Sequence, residues 1–521
     1  MVKHPDLILK GNVITMVNWK PRVEAIRIKN GKIIAVGSIE EVVKGTPKST
    51  QIIDFKGKTI VPGFIDTHTH LLATGRARAG VDLSSVTSIN EAVALIKQRV
   101  KITPPGKWVL GWEFNRLNTK EKRFPDIKEL DAISPGHPVF IQHYDTHFLM
   151  LNSLAFKQLG LSREMEGIVT DDKGEPAGLI EDPASTDLWY KIVGLADKKE
   201  LLEALRIATR ESVSVGITSI YTKESLHDAE LILKNQDNVP VRIKPILFFH
   251  ALREEDIDKV LRADIVRGKT CVATYADGSI EGHTAALFEP YTDKPETLGM
   301  LYYTDKEMYR FVEKAHRTGL QISIHAESER CIEQVLNTYE KVLEKYPLDD
   351  HRHRIEHFEV GTKKQIKLAA RLGVILAMQP IFITVCEGPD LDYYRSLLGD
   401  YRVKRAHTYR AILDEGITVA GGSDTPVTRM SPLKGIHACV NHPLKEQRID
   451  VHEAIEMFTI NAAKAGFEDD IKGNIEPGKL ADFAVLSDDP YRVPREKIKD
   501  IEVEATIVGG EVVYQKKKNT P

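Results

Sequence analysis

The N-terminal sixty residues carry short apolar runs separated by turn residues, a pattern typical of small β-structures. Residues 25–28 run into Asn30-Gly31, a dipeptide that favours a tight hairpin turn, and residues 32–36 continue the pattern beyond it. Residues 51–55 form another short strand-like run. The pattern therefore predicts several strands within residues 1–60.

The C-terminal segment has the same pattern. Residues 502–508 and 511–514 flank Gly509-Gly510, which predicts a second hairpin. Neither end of the chain can bury much apolar surface alone. We therefore expect residues 1–60 and 471–521 to pair into one small β-sandwich, with the domain between them inserted in the chain.

From about residue 200 the pattern changes to strands that alternate with amphipathic helices. Short apolar runs at residues 320–324 and 374–378 predict buried strands, and capping boxes that start at Thr304 and Thr362 predict the beginnings of helices. Repeated strand–helix units imply a parallel sheet. Over residues 61–470 this predicts an α/β fold with a (β/α)8 TIM-like barrel.

Residues 76–195 do not keep this rhythm. We interpret them as a long insertion after the first barrel strand, and we expect it to act as a lid or to shape the substrate pocket.

Composition narrows the range of partners. The chain has 521 residues, 72 of them basic and 75 acidic, and the net charge of −3 gives no electrostatic argument for nucleic acid or a membrane surface. Four cysteines are scattered without a Cys-x-x-Cys pair, and the N-terminus lacks the apolar core of a signal peptide. These features predict a cytoplasmic protein with reduced cysteines that acts on a small molecule.

Residues 59–70 supply the first candidate chemistry. This run ends in Asp66-x-His68-x-His70, and alternate residues of a strand lie on one face. Two imidazoles on one face form half of a metal site. Asp66 has two open interpretations, a cap of the strand end or a hydrogen-bond partner of a ligating histidine.

Three further predicted strands end in a residue that can bind metal, namely His325, His357 and Asp424. The C-terminal ends of parallel strands meet at one end of a barrel, so these residues should converge with His68 and His70. Imidazole and carboxylate ligands suit zinc and similar divalent ions.

These segments occur in the order found in a known family, at residues 61–70, 324–326, 354–357, 422–426 and 473–483. Residues 277–279 with 284–287, and 138–140 leading to His147, add to the match. The chain therefore resembles the amidohydrolase superfamily of metal-dependent hydrolases. Within it, the chain is most similar to the amidohydrolase-3 branch, which contains YtcJ-like proteins and N-substituted formamide deformylases.

The resemblance implies metal-assisted hydrolysis, with His68 and His70 holding zinc or another divalent ion. Asp424 is the candidate that takes a proton from the attacking water and returns it to the leaving nitrogen. His325 and His357 are further ligands, or with a single ion one of them stabilises the charge on the carbonyl oxygen. The family is also compatible with a homodimer.

Other residues are weaker candidates. His147, His283, Asp277 and Trp112 are candidates for substrate binding, although lone histidines are more often structural and Trp112 could equally belong to a core.

The number of metal ions is left open at one or two. Where relatives carry a carboxylated lysine that bridges two metals, this chain has Ala273. Cys271 and Lys223 are candidates for a replacement bridge. The preferred interpretations are a buried strand cysteine for Cys271 and an exposed lysine for Lys223.

The leading function is hydrolysis of a C–N bond in an amide, a formamide or a cyclic amide. Two alternatives stay open. One is deamination of a heterocycle at the same site, and the other is a non-catalytic metal-binding descendant. The retained Asp424 argues against the second alternative, since an inactive scaffold need not keep a proton carrier.

We predict that replacing His68 or His70 by alanine lowers the metal content of the purified protein, because each removes one imidazole ligand. Elemental analysis of each variant and of the unaltered protein measures this. Unchanged metal content in both variants would contradict the assignment of this motif.

Overall fold

The computed structural model describes residues 6–47, 50–144, 148–181, 184–250, 252–263, 269–386, 388 and 390–517. The chain divides into two units, Met1–His70 with Thr209–Pro521, and Leu71–Ala208. The predicted insertion at 76–195 lies within the second unit.

The strands are, in chain order, β1 (Leu7–Ile14), β2 (Arg22–Lys29), β3 (Lys32–Gly37), β4 (Gln51–Pro62), β5 (Phe64–Thr69), β6 (Val81–Asp82), β7 (Val109–Phe114), β8 (Val139–His143), β9 (Phe148–Leu151), β10 (Ile168–Thr170), β11 (Pro176–Glu181), β12 (Ile217–Glu224), β13 (Arg242–Phe248), β14 (Cys271–Tyr275), β15 (Gln321–Ser328), β16 (Arg354–Val360), β17 (Ile375–Met378), β18 (Val419–Gly421), β19 (Phe483–Leu486), β20 (Val503–Val508) and β21 (Glu511–Gln515).

The α-helices are α1 (Ile39–Val43), α2 (Leu71–Ala79), α3 (Ile89–Ile102), α4 (Ile127–Ile133), α5 (Ser153–Gln158), α6 (Ala184–Val193), α7 (Lys198–Ser214), α8 (Leu226–Lys234), α9 (Glu254–Arg262), α10 (Asp305–Arg317), α11 (Glu329–Lys345), α12 (Lys363–Leu372), α13 (Phe382–Val385), α14 (Asp392–Arg402), α15 (Tyr409–Asp414), α16 (Pro432–Val440), α17 (Val451–Met457) and α18 (Ile460–Ala465). Among the described residues, none of these helices is both long enough and apolar enough to cross a membrane.

Strands from both ends of the chain lie in one sheet, in the order β21-β20-β19-β4-β1-β2-β3. The hairpin at Asn30-Gly31 is confirmed as the turn between β2 and β3, and the hairpin at Gly509-Gly510 as the turn between β20 and β21. Apolar side chains from both chain ends, among them Ile26, Ile60 and Phe483, share one buried cluster. The arrangement of this sheet as a sandwich stays a prediction.

The predicted barrel is confirmed as an eight-stranded parallel sheet in the order β18-β17-β16-β15-β14-β13-β12-β5. It closes where the end of β5 meets the segment after β18. The Asp424 amide donates to the His68 carbonyl at 2.8 Å, and the His70 amide donates to the Thr425 carbonyl at 2.9 Å. Gly422 permits this approach, since a Cβ there would lie 2.7 Å from the His68 Cβ.

Gly63 separates the terminal sheet from the barrel. The structure ends β4 at Pro62 and starts β5 at Phe64, on either side of this glycine. The Gly63 amide donates to the Asp482 carbonyl at 2.9 Å. A Cβ at Gly63 would lie 2.2 Å from the Thr218 hydroxyl oxygen, so a larger residue would force β5 and β12 apart.

The predicted helix caps of the barrel are confirmed. Thr304 caps α10 and Thr362 caps α12, each with a reciprocal capping box. Gly373 ends α12 in the left-handed conformation at φ 69°. Each of these caps involves residues a few positions apart in the sequence. They therefore define where two barrel helices begin without the long-range contacts of the barrel.

The second unit contains a six-stranded sheet in the order β10-β11-β9-β8-β7-β6. Two apolar clusters flank its strands, so this unit has its own core. The lid or pocket-shaping role of the insertion stays a prediction.

A cluster of histidines supports the starts of β15 and β16. His316 Nδ1 lies 2.9 Å from His353 Nε2, and the His351 Nδ1 accepts the His353 amide at 2.8 Å. His353 Nδ1 accepts the Ile322 amide at 3.2 Å. Burial, then the charges of His351, His316 and Lys269, hold the pKa of His353 well below its usual range.

We predict that this cluster makes the protein sensitive to acid. Above the ordinary histidine pKa of about 6.5, His353 is neutral in both the folded and the unfolded chain. As the pH falls below that value, the unfolded chain takes up a proton that the folded chain excludes, and the free energy of unfolding decreases.

The measurement is the free energy of unfolding from urea titrations between pH 7 and pH 5. His353→Asn should flatten its slope by up to about 1.4 kcal/mol per pH unit, the value for one proton. His227 on α8 is exposed, and His227→Asn is the control that keeps the slope. A slope unchanged in His353→Asn would contradict the prediction.

Candidate metal centre

The predicted ligands converge at one end of the barrel. His68 lies on β5 and His70 directly follows it, His325 lies on β15, His357 on β16, and Asp424 follows β18. One ligand atom each from His68, His357 and Asp424 lies within 4.8 Å of the others. The rings of His68 and His70 have centroids 5.8 Å apart. Parallel strands thus deliver five candidate ligands to one place.

Asp424 is the carboxylate of this group. Its Oδ1 lies 3.1 Å from His68 Nε2 and 3.3 Å from His70 Nε2. Burial raises the pKa of Asp424, but the charges and hydrogen bonds of His68 and His70 outweigh burial and hold it well below its usual range. Asp424 is therefore ionised at neutral pH and ready to accept a proton.

The second ring nitrogen of His68, Nδ1, faces three side chains. His68 Nδ1 lies 2.7 Å from Glu356 Oε2, 3.1 Å from Gln379 Nε2 and 3.3 Å from Lys223 Nζ. With an ion bound, a proton on Nδ1 would face Glu356, and Nε2 would be the nitrogen that holds the ion beside Asp424. A carboxylate behind a ligating histidine fixes its tautomer in this way.

His357 reaches the centre through an unusual backbone conformation. His357 and Phe358 both adopt positive φ values, 71° and 50°, in the middle of β16. Regular alternation would place Glu356 and His357 on opposite faces of the strand. The positive φ values break that alternation, and both side chains contact His68, with the His357 ring centroid 4.9 Å from that of His68. Such strain is typical of functional sites.

His325 lies on the far side of His357, with ring centroids 4.4 Å apart. His325 Nε2 is 3.1 Å from the Gly278 carbonyl and 3.6 Å from Asp277 Oδ1. Burial, followed by the charge of Lys223, lowers the pKa of His325 to about 4. The imidazole is therefore neutral at pH 7, the form that binds metal.

Glu356 is the centre of a buried charge network. Its Oε1 accepts hydrogen bonds from Arg354 Nε at 2.8 Å and from the Ser323 hydroxyl at 2.6 Å, while its Oε2 lies 3.6 Å from Lys223 Nζ. Burial raises the pKa of Glu356, but the charges of Arg354 and Lys223 outweigh it and hold the pKa well below the usual range. Arg354 also donates to the Thr67 carbonyl at 2.8 Å, which links β16 to β5.

The interpretation of Lys223 as an exposed lysine was wrong. Its strand continues to Glu224, and the Lys223 side chain is 2% exposed and directed at His68 and Glu356. Burial lowers the pKa of Lys223, and the charges of Glu356 and Asp424 partly offset this. Its role as a bridging ligand stays a prediction.

Cys271 is buried on β14, as its preferred interpretation expected. Burial raises the pKa of the Cys271 thiol to about 12, so the sulfur is protonated at neutral pH. The geometry therefore favours Lys223 over Cys271 as a group that acts near His68.

Asp66 braces the closure of the barrel. Its Oδ1 accepts the Ser423 amide at 3.0 Å and the His68 amide at 3.3 Å. Burial raises the pKa of Asp66 to about 6, although these hydrogen bonds oppose the shift. The first of its two interpretations, a cap of backbone groups, matches these contacts.

The candidates for substrate binding lie in different surroundings. Asp277 is buried and accepts hydrogen bonds from the Ala286 amide, the Ser328 hydroxyl and the Glu327 amide at 2.8–3.1 Å, so it ties the loop after β14 to β15. His283 pairs with Asp293 in the same loop at 2.9 Å. Trp112 packs against Phe140 in a core of the second unit. His147 lies outside the described residues.

The residues present fit a divalent cation. His357 Nδ1 is buried and has no hydrogen-bond partner within the described part of the chain, and Asp424 Oδ1 lies between the imidazole nitrogens of His68 and His70. Buried polar atoms are normally satisfied, so a buried imidazole nitrogen without a partner beside a carboxylate and two further imidazoles fits an ion site. Nitrogen and carboxylate donors in this combination suit zinc.

Sequence reasoning did not give a role to Glu356, Arg354 or Gln379. Glu356 and Arg354 were visible as part of a strand motif, but strand alternation placed Glu356 away from His357. Gln379 directly follows β17, as His70 directly follows β5, so its position at a strand end was a usable signal.

Comparisons with known proteins place the chain in a family. The sequence profile of the Amidohydrolase family matches residues 51–514. YtcJ of Bacillus subtilis (strain 168), which bears an amidohydrolase name, is 31% identical over 535 residues that span 97% of this chain and 98% of YtcJ. The N-substituted formamide deformylase of Arthrobacter pascens is 25% identical over 540 residues, which span 98% of both chains.

Among solved structures, an uncharacterized metal-dependent hydrolase from Pyrococcus horikoshii OT3 matches with a TM-score of 0.78. The identity is 24%, and the match covers 94% of this chain and 99% of that chain. The two proteins therefore share a fold along nearly their whole length.

We predict that Glu356→Gln strongly destabilises the protein, because it leaves the buried Arg354 and Lys223 without their carboxylate. Breaking a buried ion pair by removing one partner costs about 3–5 kcal/mol. The measurement is the midpoint of thermal unfolding in the presence of a chelator, so that loss of metal does not contribute.

The control is Glu313→Gln, which removes a carboxylate from a pair with the exposed Lys345. This pair is near the surface, and its loss should leave the midpoint almost unchanged. Equal midpoints for Glu356→Gln and Glu313→Gln would show that the network around Glu356 does not stabilise the fold.

Proposed function

The chain belongs to the amidohydrolase family, and from that membership we propose that it hydrolyses a carbon–nitrogen bond other than a peptide bond. The observation that carries this proposal is the convergence of His68, His70 and Asp424 at the closure of the barrel. The substrates that we propose are amides, above all N-substituted formamides, since a relative along the whole chain is named for that activity.

We propose that His68, His70, His357 and Asp424 hold a divalent cation, with zinc the ion that suits these donors best. When bound, such an ion acts as a Lewis acid that activates water and polarises a carbonyl oxygen. The side chains of the protein then have two tasks, which are to hold the ligand atoms in a fixed geometry and to transfer protons.

Asp424 transfers the proton in this proposal. Because its pKa is held low, the carboxylate is ionised when substrate arrives and accepts the proton of the attacking water. It then donates that proton to the nitrogen of the leaving amine, which must be protonated to depart. Asp424 adopts a positive φ of 54°, and its Oδ1 lies 3.1 Å from His68 Nε2 and 3.3 Å from His70 Nε2.

Glu356 and His325 have supporting roles in this proposal. Glu356 keeps the Nδ1 proton of His68 in place and so orients its Nε2. His325 is neutral because burial lowers its pKa to about 4, and it can act as a ligand or donate a hydrogen bond to the carbonyl oxygen of the substrate.

We predict that Asp424→Asn abolishes turnover and leaves the metal content nearly intact, since three imidazoles remain and the amide cannot accept the proton. Loss of a general base typically costs about 10²–10⁴ in rate. Turnover of N-formyl and N-acyl amines is measured with zinc, manganese or cobalt supplied, together with elemental analysis.

Asp349 is exposed, and Asp349→Asn is the matched control that keeps full activity. A fully active Asp424→Asn protein would remove the proton-carrying role. A metal-loaded protein that releases ammonia from heterocycles instead would favour the deaminase. One that turns over no substrate of either kind would favour a non-catalytic descendant.

A further inference from the structure

A groove lies between the helices α10 and α11, which precede and follow β15. Its volume is about 410 Å³, and small-molecule sites in proteins commonly have volumes of about 300–1,000 Å³. Lys306 and Tyr309 line the groove from α10, and Leu301 lines it from the loop that follows β14. The groove is therefore large enough to hold a small organic molecule.

One face of α11 forms most of the groove. Its lining residues recur at intervals of three and four, so they lie along one side of the helix, and they include Arg330, Glu333, Asn337 and Lys341. Because α11 begins at Glu329, directly after β15, this face starts at the barrel end to which β15 leads. Several polar groups thus face one confined space.

Gln334 and Thr338 form the floor of the groove, and they are 7% and 4% exposed. Gln334 Nε2 donates to the Tyr303 carbonyl at 2.9 Å and to Asp305 Oδ1 at 2.8 Å. Both partners are acceptors, which fixes the orientation of the amide. Gln334 Oε1 then has no hydrogen-bond partner among the residues that the structure describes. Buried acceptors normally have a donor, so the floor lacks a donor that a bound molecule can supply.

Three cations border the groove without a carboxylate partner. Lys306, Arg330 and Lys341 form no ion pair within the described part of the chain, whereas Lys345, one turn further along α11, pairs with Glu313 at 2.8 Å. Three basic and two acidic side chains line the groove, which leaves it a net positive charge. Unpaired cations that share a groove attract an anionic ligand.

Arg330 is the cation whose position is fixed. Its Nη2 donates to the Gly299 carbonyl at 2.9 Å, and its amide donates to the Ala286 carbonyl at 3.0 Å. Its Nε is buried and has no hydrogen-bond partner in the described ranges. The guanidinium is therefore held in place with one donor left over, and guanidinium groups bind carboxylates and phosphates through several donors at once.

We propose that this groove binds a small organic anion that carries two negative charges and a hydroxyl group. The negative charges pair with Arg330, Lys306 and Lys341, and the hydroxyl group supplies the donor that Gln334 Oε1 lacks. Hydroxylated dicarboxylates and phosphate esters of small alcohols share this chemistry. The groove lies outside the metal centre, so the proposal does not depend on the proposed function.

The test is isothermal titration calorimetry of the full-length protein at low ionic strength, because salt screens exposed cations. The probes are malate, succinate and glycerol 3-phosphate. Malate and succinate differ by one hydroxyl group, and glycerol 3-phosphate carries a phosphate in place of the carboxylates. The groove variants are Arg330→Gln and the double variant Lys306→Gln/Lys341→Gln. Lys345→Gln is the matched control, because Lys345 lies on the same helix but pairs with Glu313.

We expect malate or glycerol 3-phosphate to bind the unaltered protein and Lys345→Gln with the same affinity. Arg330→Gln should weaken this binding roughly 10–100-fold, because charge-assisted hydrogen bonds are lost. The double variant should weaken it by about 10-fold, since both of its lysines are exposed. Succinate should bind about 10-fold more weakly than malate, because the buried acceptor stays without a donor.

Two results would overturn the site. One is the failure of all three probes to bind the unaltered protein. The other is equal affinity in the unaltered protein and in both groove variants, which would place the anion elsewhere, the metal centre included. Succinate bound as tightly as malate would overturn the role of the hydroxyl group. If circular dichroism shows that Arg330→Gln is unfolded, the double variant decides the question, because Lys306 and Lys341 are exposed.

Discussion

The closure of the barrel is the constraint on which the rest of the site depends. Two backbone hydrogen bonds join the end of β5 to the segment after β18, from the Asp424 amide to His68 and from the His70 amide to Thr425. The same few residues carry the ligands. Closure of the sheet and assembly of the centre are therefore one event. Gly422 leaves room for the two segments to approach, and Asp66 stabilises that approach with a hydrogen bond, so both residues serve closure and centre alike.

The centre combines local strain with buried charge. His357 and Asp424 hold positive φ values that few non-glycine residues adopt, and Glu356, Arg354 and Lys223 are ionisable groups removed from water. Either feature alone would lower stability. The surrounding barrel holds both in place. The Ser323 hydroxyl donates a hydrogen bond to Glu356, and Arg354 donates one to the Thr67 carbonyl. Fixed geometry of this kind is what a metal centre requires of its protein.

The sequence predicted much of this arrangement because several of its signals are local. Capping boxes at Thr304 and Thr362, the hairpin at Asn30-Gly31 and the ligands at strand ends depend on residues a few positions apart. In contrast, nothing local reveals that Gly63 meets Asp482 and Thr218. The burial of Lys223 and the place of Glu356 also depend on distant strands and on a break in alternation that no pattern encodes.

The pairing of β4 with β19 has a consequence for how the protein comes to be folded during synthesis. β4 ends at Pro62, one residue before the barrel begins, yet its neighbour β19 starts at Phe483. The ribosome must therefore translate more than four-fifths of the described chain before the strand that precedes β5 gains this neighbour. Contacts so distant in sequence form slowly, and the half-made protein exposes an unpaired strand edge in the meantime. The strand that leads into the first two ligands is thus among the last to gain its full set of neighbours.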